Sequence, residues 1–331
     1  MKKWFSWILK LSITSGILYY IFTNIPFSEV IKSITSANVS YIIIALLITV
    51  LIVYMEAYTM KILTDKQRIG LSVSQIIEIN LTTRFYGLFL PGYLAGGVIR
   101  LYKFSQPENK WMEALASITF NRLIGTVVLV MVGILFWVLD PKSNSNYIAG
   151  FILLIILSGL LVVYFLIFVG KVSCFLRKYA EKIKLSLIPR IIRSNISKLL
   201  VSTSQYHSLS QSSLIYVFGL FLISNLLGVL SFYLFALSLG TDISFISIGW
   251  VRSFISIITM LPVSFAGLGV REGTLVFLLQ PYGVSATDAV ALSFLFFART
   301  LLIGGIGGLF EAKNLYLPSR GKSEVKEEIS T

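Results

Sequence analysis

Two stretches of the sequence set an arginine beside a proline–glycine break in otherwise apolar chain. Residues 90–100 read LPGYLAGGVIR and residues 261–271 read LPVSFAGLGVR. Aligned without gaps, Leu90, Pro91, Ala95, Gly96 and Arg100 match Leu261, Pro262, Ala266, Gly267 and Arg271, at an offset of 171 residues. Each motif follows an upstream arginine (Arg84; Arg252) and precedes an apolar run that carries another, Arg122 in FNRLIG and Arg299 in FARTLL. Arginine stays charged in a low dielectric and grips oxyanions through two parallel hydrogen bonds. A half-helix N-terminus nearby adds a dipole with the same preference. Six such groups suit an anionic ligand. The acids within reach of apolar sequence, Glu56, Glu78, Glu272, Asp288 and Glu311, are fewer than the arginines.

The candidate anion-binding set is therefore Arg84, Arg100, Arg122, Arg252, Arg271 and Arg299, with Glu272 placed to hold Arg271 or a cationic headgroup amine. Candidate turn residues are Pro91, Gly92, Gly96 and Gly97 in the first motif and Pro262, Gly267 and Gly269 in the second. The structural alternative is that these arginines snorkel to lipid headgroups or pair with acids. An arginine at a helix centre costs about 2.5–3.5 kcal/mol on insertion scales. Six of them must be paired, wet or near an interface.

Other chemistry is poorly supplied. The single cysteine, Cys174, and single histidine, His207, leave no disulfide framework, Cys/His metal cage or Ser-His-Asp arrangement. No phosphate-cradling or dinucleotide fingerprint follows a strand. We expect no catalytic residue, metal or cofactor. Gly304, Gly305, Gly307 and Gly308 read as a helix-packing face, and Asn80, Asn121 and Asn225 as interhelical hydrogen bonders.

The elements that must position the arginines are membrane helices. The chain has 331 residues, 56% hydrophobic and 13% charged, with mean hydropathy +0.84; soluble proteins carry about 25% charge. The expected fold is an all-α polytopic membrane bundle. Six stretches are long enough to span a bilayer: 4–23, 41–60, 114–139, 147–169, 214–239 and 286–310. The broken segments 76–100 and 246–280 read as re-entrant hairpins of two half-helices. The 14 residues 76–89 make about 21 Å of helix, short of a hydrocarbon core of about 30 Å. Non-helical backbone at that depth must be buried in protein or line a wet cavity. The expected organisation is a membrane domain over 1–316, an inverted repeat of about 41–139 and 214–312, a basic cytoplasmic loop 170–213 and a polar tail 317–331.

Charge sets the orientation. The gaps 61–75, 101–113 and 170–213 hold thirteen Lys and Arg, whereas 24–40, 140–146, 240–245 and 281–285 hold two. The positive-inside rule then puts both termini in the cytoplasm. The net charge of +13 belongs to orientation and anionic headgroups, not to nucleic acid.

At these residues the chain resembles the integral membrane region of lysylphosphatidylglycerol synthases, the flippase-like domain family. FYGLFLPGYLAGGVIRLYKF, FNRLIG and MLPVSFAGLGVREGTLVF carry the resemblance, which covers about residues 5–315. It implies translocation of aminoacylated phosphatidylglycerol between leaflets. It also implies that Pro91, Gly96 and Arg100 take the first hairpin motif and Pro262, Gly267, Arg271 and Glu272 the second. Tyr93 and Leu94 depart from the small residues frequent there in relatives. The resemblance further implies that lysyl transfer belongs to a separate cytosolic domain; with 20 residues after Glu311, that domain and its transfer activity are not expected here.

The leading expectation is a prokaryotic plasma-membrane protein that binds and moves an anionic phospholipid or aminoacylated phosphatidylglycerol. Phosphatidylglycerol lysyltransferase activity stands as an alternative on the family name alone, and the balance is against an enzyme. An accessory role beside an envelope-lipid or glycosyl enzyme, docked through the basic loop, also stays open, as does a homo-oligomer.

Overall fold

The computed structural model describes residues 25–89, 93–106, 109–142, 147–168, 211–260 and 267–316, with Gly16, Tyr19, Thr23 and Tyr206 besides. Most of the expected span 4–23, the turn residues Pro91, Gly92 and Pro262, nearly all of the loop 170–213 and the tail 317–331 lie outside the described residues.

The described chain is helical throughout, without strands. It runs α1 (Phe27–Thr35), α2 (Val39–Lys66), α3 (Val73–Phe89), α4 (Tyr93–Ser105), α5 (Trp111–Leu139), α6 (Tyr147–Phe168), α7 (Gln211–Ser238), α8 (Phe245–Met260), α9 (Val270–Leu279), a 3₁₀ turn Gln280–Tyr282, and α10 (Ala286–Tyr316). Five of these helices, α2, α5, α6, α7 and α10, are long and apolar enough to cross a membrane. The 28 residues of α2 reach about 42 Å. The helix therefore outruns the expected span 41–60 and takes up Lys61 and Lys66, where Lys61 pairs with Asp65 one turn on.

Local signals start and stop these helices. Asn38 caps α2 by accepting from the Ser40 N–H at 3.0 Å. Ahead of α3, Ser72 and Gln75 form a reciprocal box: the Ser72 N–H donates to Gln75 Oε1 at 2.8 Å and the Gln75 N–H to Ser72 Oγ at 3.3 Å. Gly267 and Gly269 sit at φ +80° and +81° just before α9, a left-handed backbone that side chains resist.

Gly96 and Gly97 are a correction. Expected at a turn, they lie inside α4, which begins at Tyr93. Helix satisfies backbone donors that an apolar setting leaves stranded. The absent side chain at Gly96 serves packing instead, since a Cβ there would lie 3.4 Å from Thr83 of α3. A further helix, α1, forms where a loop was expected. Its Val30 buries against Val290 and Ala291, and Ser33 donates to Asp288 at 2.8 Å.

The helices pair reciprocally. The series α2–α5 has 28, 17, 13 and 29 residues and the series α7–α10 has 28, 16, 10 and 31. The first members, α2 and α7, pack together. They run antiparallel: the Asn38 N–H donates to the Ser238 carbonyl at 2.8 Å, Ser231 to the Ala45 carbonyl at 3.1 Å, and Tyr58 meets Tyr216 edge to face at 6.5 Å. The second helix of each series packs on the last helix of the other. Thus α3 lies on α10 and α8 on α5. Glycine makes both approaches close. Phe136 of α5 packs over Gly249 of α8, Ser253 of α8 over Gly133 of α5, and Phe85 of α3 over Gly308 of α10.

The main core fills the space between α5, α7, α8, α9 and α10 with Val128, Phe232, Phe235, Trp250, Leu275 and Leu292. At the far end of α5, buried Asp140 accepts from the Trp250 indole at 2.8 Å and the Tyr282 hydroxyl at 2.5 Å. Burial first, and then the Asp140 carboxylate, push the Tyr282 phenol well above its ordinary range. Near the other end, Tyr206 stacks on Phe120 at 4.4 Å and donates to Ser117 at 2.8 Å, fastening the end of the basic loop to α5.

A side chain at Gly307 would overlap the Leu81 carbonyl of α3, whereas a Cβ at Gly305 meets nothing within 4 Å. Gly307→Ala is therefore expected to cost about 1–3 kcal/mol through overpacking. Gly305→Ala should be neutral or stabilising by up to about 1 kcal/mol. Thermal unfolding of both variants in detergent checks the contrast, and equal midpoints would refute the α3–α10 packing.

Candidate functional site

Five helices bring charged or polar groups to one region in the middle of the bundle. Arg84 is residue twelve of the 17 in α3. Glu56 is residue eighteen of the 28 in α2, Arg252 residue eight of the 16 in α8, and Arg299 residue fourteen of the 31 in α10. Asn225 sits at the midpoint of α7. Arg84 donates to the Glu56 carboxylate as an ion pair. Arg252 lies across Gly228 of α7 and donates to the Asn225 carbonyl at 3.4 Å. Arg299 lies over the Phe296 ring, 4.3 Å from its centroid, and its buried Nε has no hydrogen-bond partner among the described residues.

These groups feel one another's charge. Arg299 is within electrostatic range of Arg252, Arg84 and Glu56, and Glu56 acts on Arg252 as well. Three guanidinium groups against one carboxylate leave a net charge of +2. Among the described residues no carboxylate lies within ion-pair distance of Arg252 or Arg299. The Arg84 and Glu56 side chains stay 35% and 39% exposed. Mid-helix charges left that open must face water or a polar ligand, because hydrocarbon offers neither counter-charge nor hydrogen bond.

The second motif builds a different site. Arg271, at the start of α9, is 3% exposed and Glu272 is 0% exposed. Arg271 Nη2 donates to Glu272 Oε1 at 2.7 Å and its Nε to Ser293 Oγ at 2.5 Å. Ser293 donates to Glu272 Oε1 at 2.6 Å. The other carboxylate oxygen, Oε2, accepts from the Gly269 N–H at 2.6 Å. Phe297 closes over the guanidinium at 5.3 Å. Both carboxylate oxygens are occupied and the charge is balanced within the network, which serves as a lock between α9 and α10.

The six arginines thus divide. Arg84, Arg252 and Arg299 come together, and Arg271 is held in the lock, where it shares the Phe296 ring with Arg299. Arg100 lies over Phe104, one turn on in α4, at 5.6 Å. Arg122 is half-buried on α5. Alongside α4, Glu311 of α10 takes the Tyr86 hydroxyl at 2.9 Å and pairs with Lys103.

Sequence reasoning noted Glu56 only as an available acid and did not place it in the site. Gly228 and Ser293 went unremarked. Glu56 could have been found by depth, since it is a lone acid well inside a span whose only nearby cation in sequence is Lys61. Ser293 carried no signal.

Removing one partner of a sealed pair strands the other charge, which costs about 3–5 kcal/mol, whereas an exposed pair contributes about 0–1 kcal/mol. Glu272→Ala is expected to lower the unfolding midpoint sharply in detergent, while Lys61→Ala, which breaks the exposed pair with Asp65, leaves it nearly unchanged. Similar midpoints would show that the Arg271 network does not hold α9 to α10.

The arginine cluster supplies binding chemistry for an anion. Among the described residues no group of three or more His, Cys, Asp or Glu could hold a metal ion. No curated protein matches the chain. A family model described as the lysylphosphatidylglycerol synthase TM region matches residues 7–308. The match spans the apolar helices, both broken segments and every arginine discussed above, and the chain belongs to that family of integral membrane regions.

Proposed function

We propose that this protein binds an anionic phospholipid, aminoacylated phosphatidylglycerol among them, and carries its headgroup between the leaflets of a prokaryotic plasma membrane. The observation that supports this most is the cluster of Arg84, Arg252 and Arg299 around the single carboxylate Glu56, at mid-length in their helices. Its net positive charge favours a phosphate, whose oxygens match guanidinium donors two at a time. Placement between the two helix series favours passage over simple anchoring. A headgroup held there is about equally far from both faces of the bundle.

The reciprocal antiparallel pairing of the two series supports reading them as an inverted repeat, with α3–α4 and α8–α9 as the broken hairpins entering from opposite sides. The basic gaps then put both termini in the cytoplasm. The partner is the lipid itself.

The test is a leaflet-exchange assay in proteoliposomes with headgroup-labelled phosphatidylglycerol. Arg252→Gln and Arg299→Gln are each expected to slow exchange at least about tenfold, the worth of one charge-assisted contact of roughly 1.4 kcal/mol, in protein that remains folded. Wild-type exchange in both variants would overturn the proposal.

A further inference from the structure

Among the described residues two arginine–glutamate pairs lie inside the bundle, and they differ in one respect that matters. The Arg271–Glu272 pair is 3% and 0% exposed, with Ser293 and the Gly269 N–H filling its remaining valences. No incoming group reaches it without opening α9 from α10. The Arg84–Glu56 pair is 35% and 39% exposed, takes no third hydrogen-bonding side chain among the described residues, and stands beside two guanidinium groups without carboxylate partners. It is the pair that an outside anion can enter.

We infer that Glu56 is the resident counter-anion of the arginine cluster, exchanged for the phosphate of the ligand during each passage. The inference rests on the lipid-binding reading above and adds a mechanism for release. With no ligand, Glu56 occupies Arg84 and lowers the cluster's charge to +2. An arriving phosphate enters at this exposed pair, drawn by Arg252 and Arg299 behind it, for which no carboxylate among the described residues competes within ion-pair distance. It then takes the Arg84 N–H donors from Glu56. The displaced carboxylate is not lost to bulk water. It hangs from α2, within electrostatic range of both Arg252 and Arg299, at an effective concentration that a free anion does not match. Glu56 therefore competes throughout the bound lifetime. Its return to Arg84 expels the headgroup. A site built from three arginines alone would bind more tightly and let go more slowly. Glu56 is thus a specificity- and rate-determining residue: it discounts weakly charged ligands, which cannot displace it, and it prevents strongly charged ones from staying.

Glu56→Gln keeps the shape and a hydrogen bond while removing the competing charge. In purified full-length protein, native mass spectrometry titrations with phosphatidylglycerol are expected to show about tenfold tighter binding in Glu56→Gln than in wild type, the worth of one charge-assisted contact. Leaflet exchange of the same lipid should slow, so that affinity and rate move in opposite directions. In an Arg84→Gln background the Glu56→Gln gain should shrink to less than about twofold, because the exchange needs the Arg84 donors. Should Glu56→Gln fail to accumulate, Glu56→Asp draws the carboxylate back by one methylene and is expected to tighten binding by about threefold.

Unchanged or weaker binding in Glu56→Gln overturns the inference. So does an equal gain with and without Arg84, which would reduce Glu56 to a diffuse field. A response confined to inorganic phosphate, without phosphatidylglycerol, overturns the lipid as the exchanging partner. Loss of the parent reading looks different: Arg252→Gln and Arg299→Gln would then bind phosphatidylglycerol as wild type does, whatever Glu56→Gln shows.

Discussion

A guanidinium group held at mid-length in an apolar bundle is the constraint from which the rest follows. It cannot shed its proton cheaply, and hydrocarbon cannot solvate it. It must therefore be given a carboxylate, an aromatic face, a backbone carbonyl, water or a ligand. Arg271, Arg299, Arg252 and Arg84 each show a different combination. Arg271 receives a carboxylate, a serine and two phenyl rings. Arg299 receives Phe296 and its like-charged neighbours. Arg252 receives a carbonyl at long range. Arg84 shares the one glutamate.

That gradient runs from sealed to accessible. The Arg271 network closes on itself, and its charges cancel where they stand. It behaves as a strut whose value lies in holding the short helix α9, only 10 residues long, against the long α10. The cluster on α2, α3, α8 and α10 is left with surplus positive charge and partial exposure. Excess charge of one sign in a low-dielectric surrounding raises the local potential, and with it the pull on an ion of the other sign.

Reciprocal helix pairing is what brings these groups together. The second helix of each series crosses to the last helix of the other, so arginines far apart in sequence converge between the halves. Glycines at 249, 307 and 308 allow the backbones to approach until side chains of one helix lie on the backbone of the next. Without a hydrophobic driving force between helices in lipid, such close contact supplies much of the association energy. The same closeness fixes the arginines' positions within narrow limits.

Much was legible in the chain itself. Composition gave an all-helical membrane protein, and the short lengths of α3 and α8 followed from chemistry that is local: apolar runs too short to span, bounded by residues that leave a helix easily. The arginines were marked because a charge in apolar sequence is conspicuous wherever it falls. Their division was legible only in part. Glu272, next to Arg271 in the chain, was expected to hold it or a headgroup amine and does hold it, but nothing in one dimension placed Ser293 beside that pair or set Arg252 on Gly228. Gly96 and Gly97 looked like a turn and are helix; at Gly96 the missing side chain admits Thr83 of a neighbouring helix at 3.4 Å, a contact that no local pattern announces. Solvation is a local cost that each residue carries in its type. Pairing is a relation between surfaces, and it exists only after the helices have crossed.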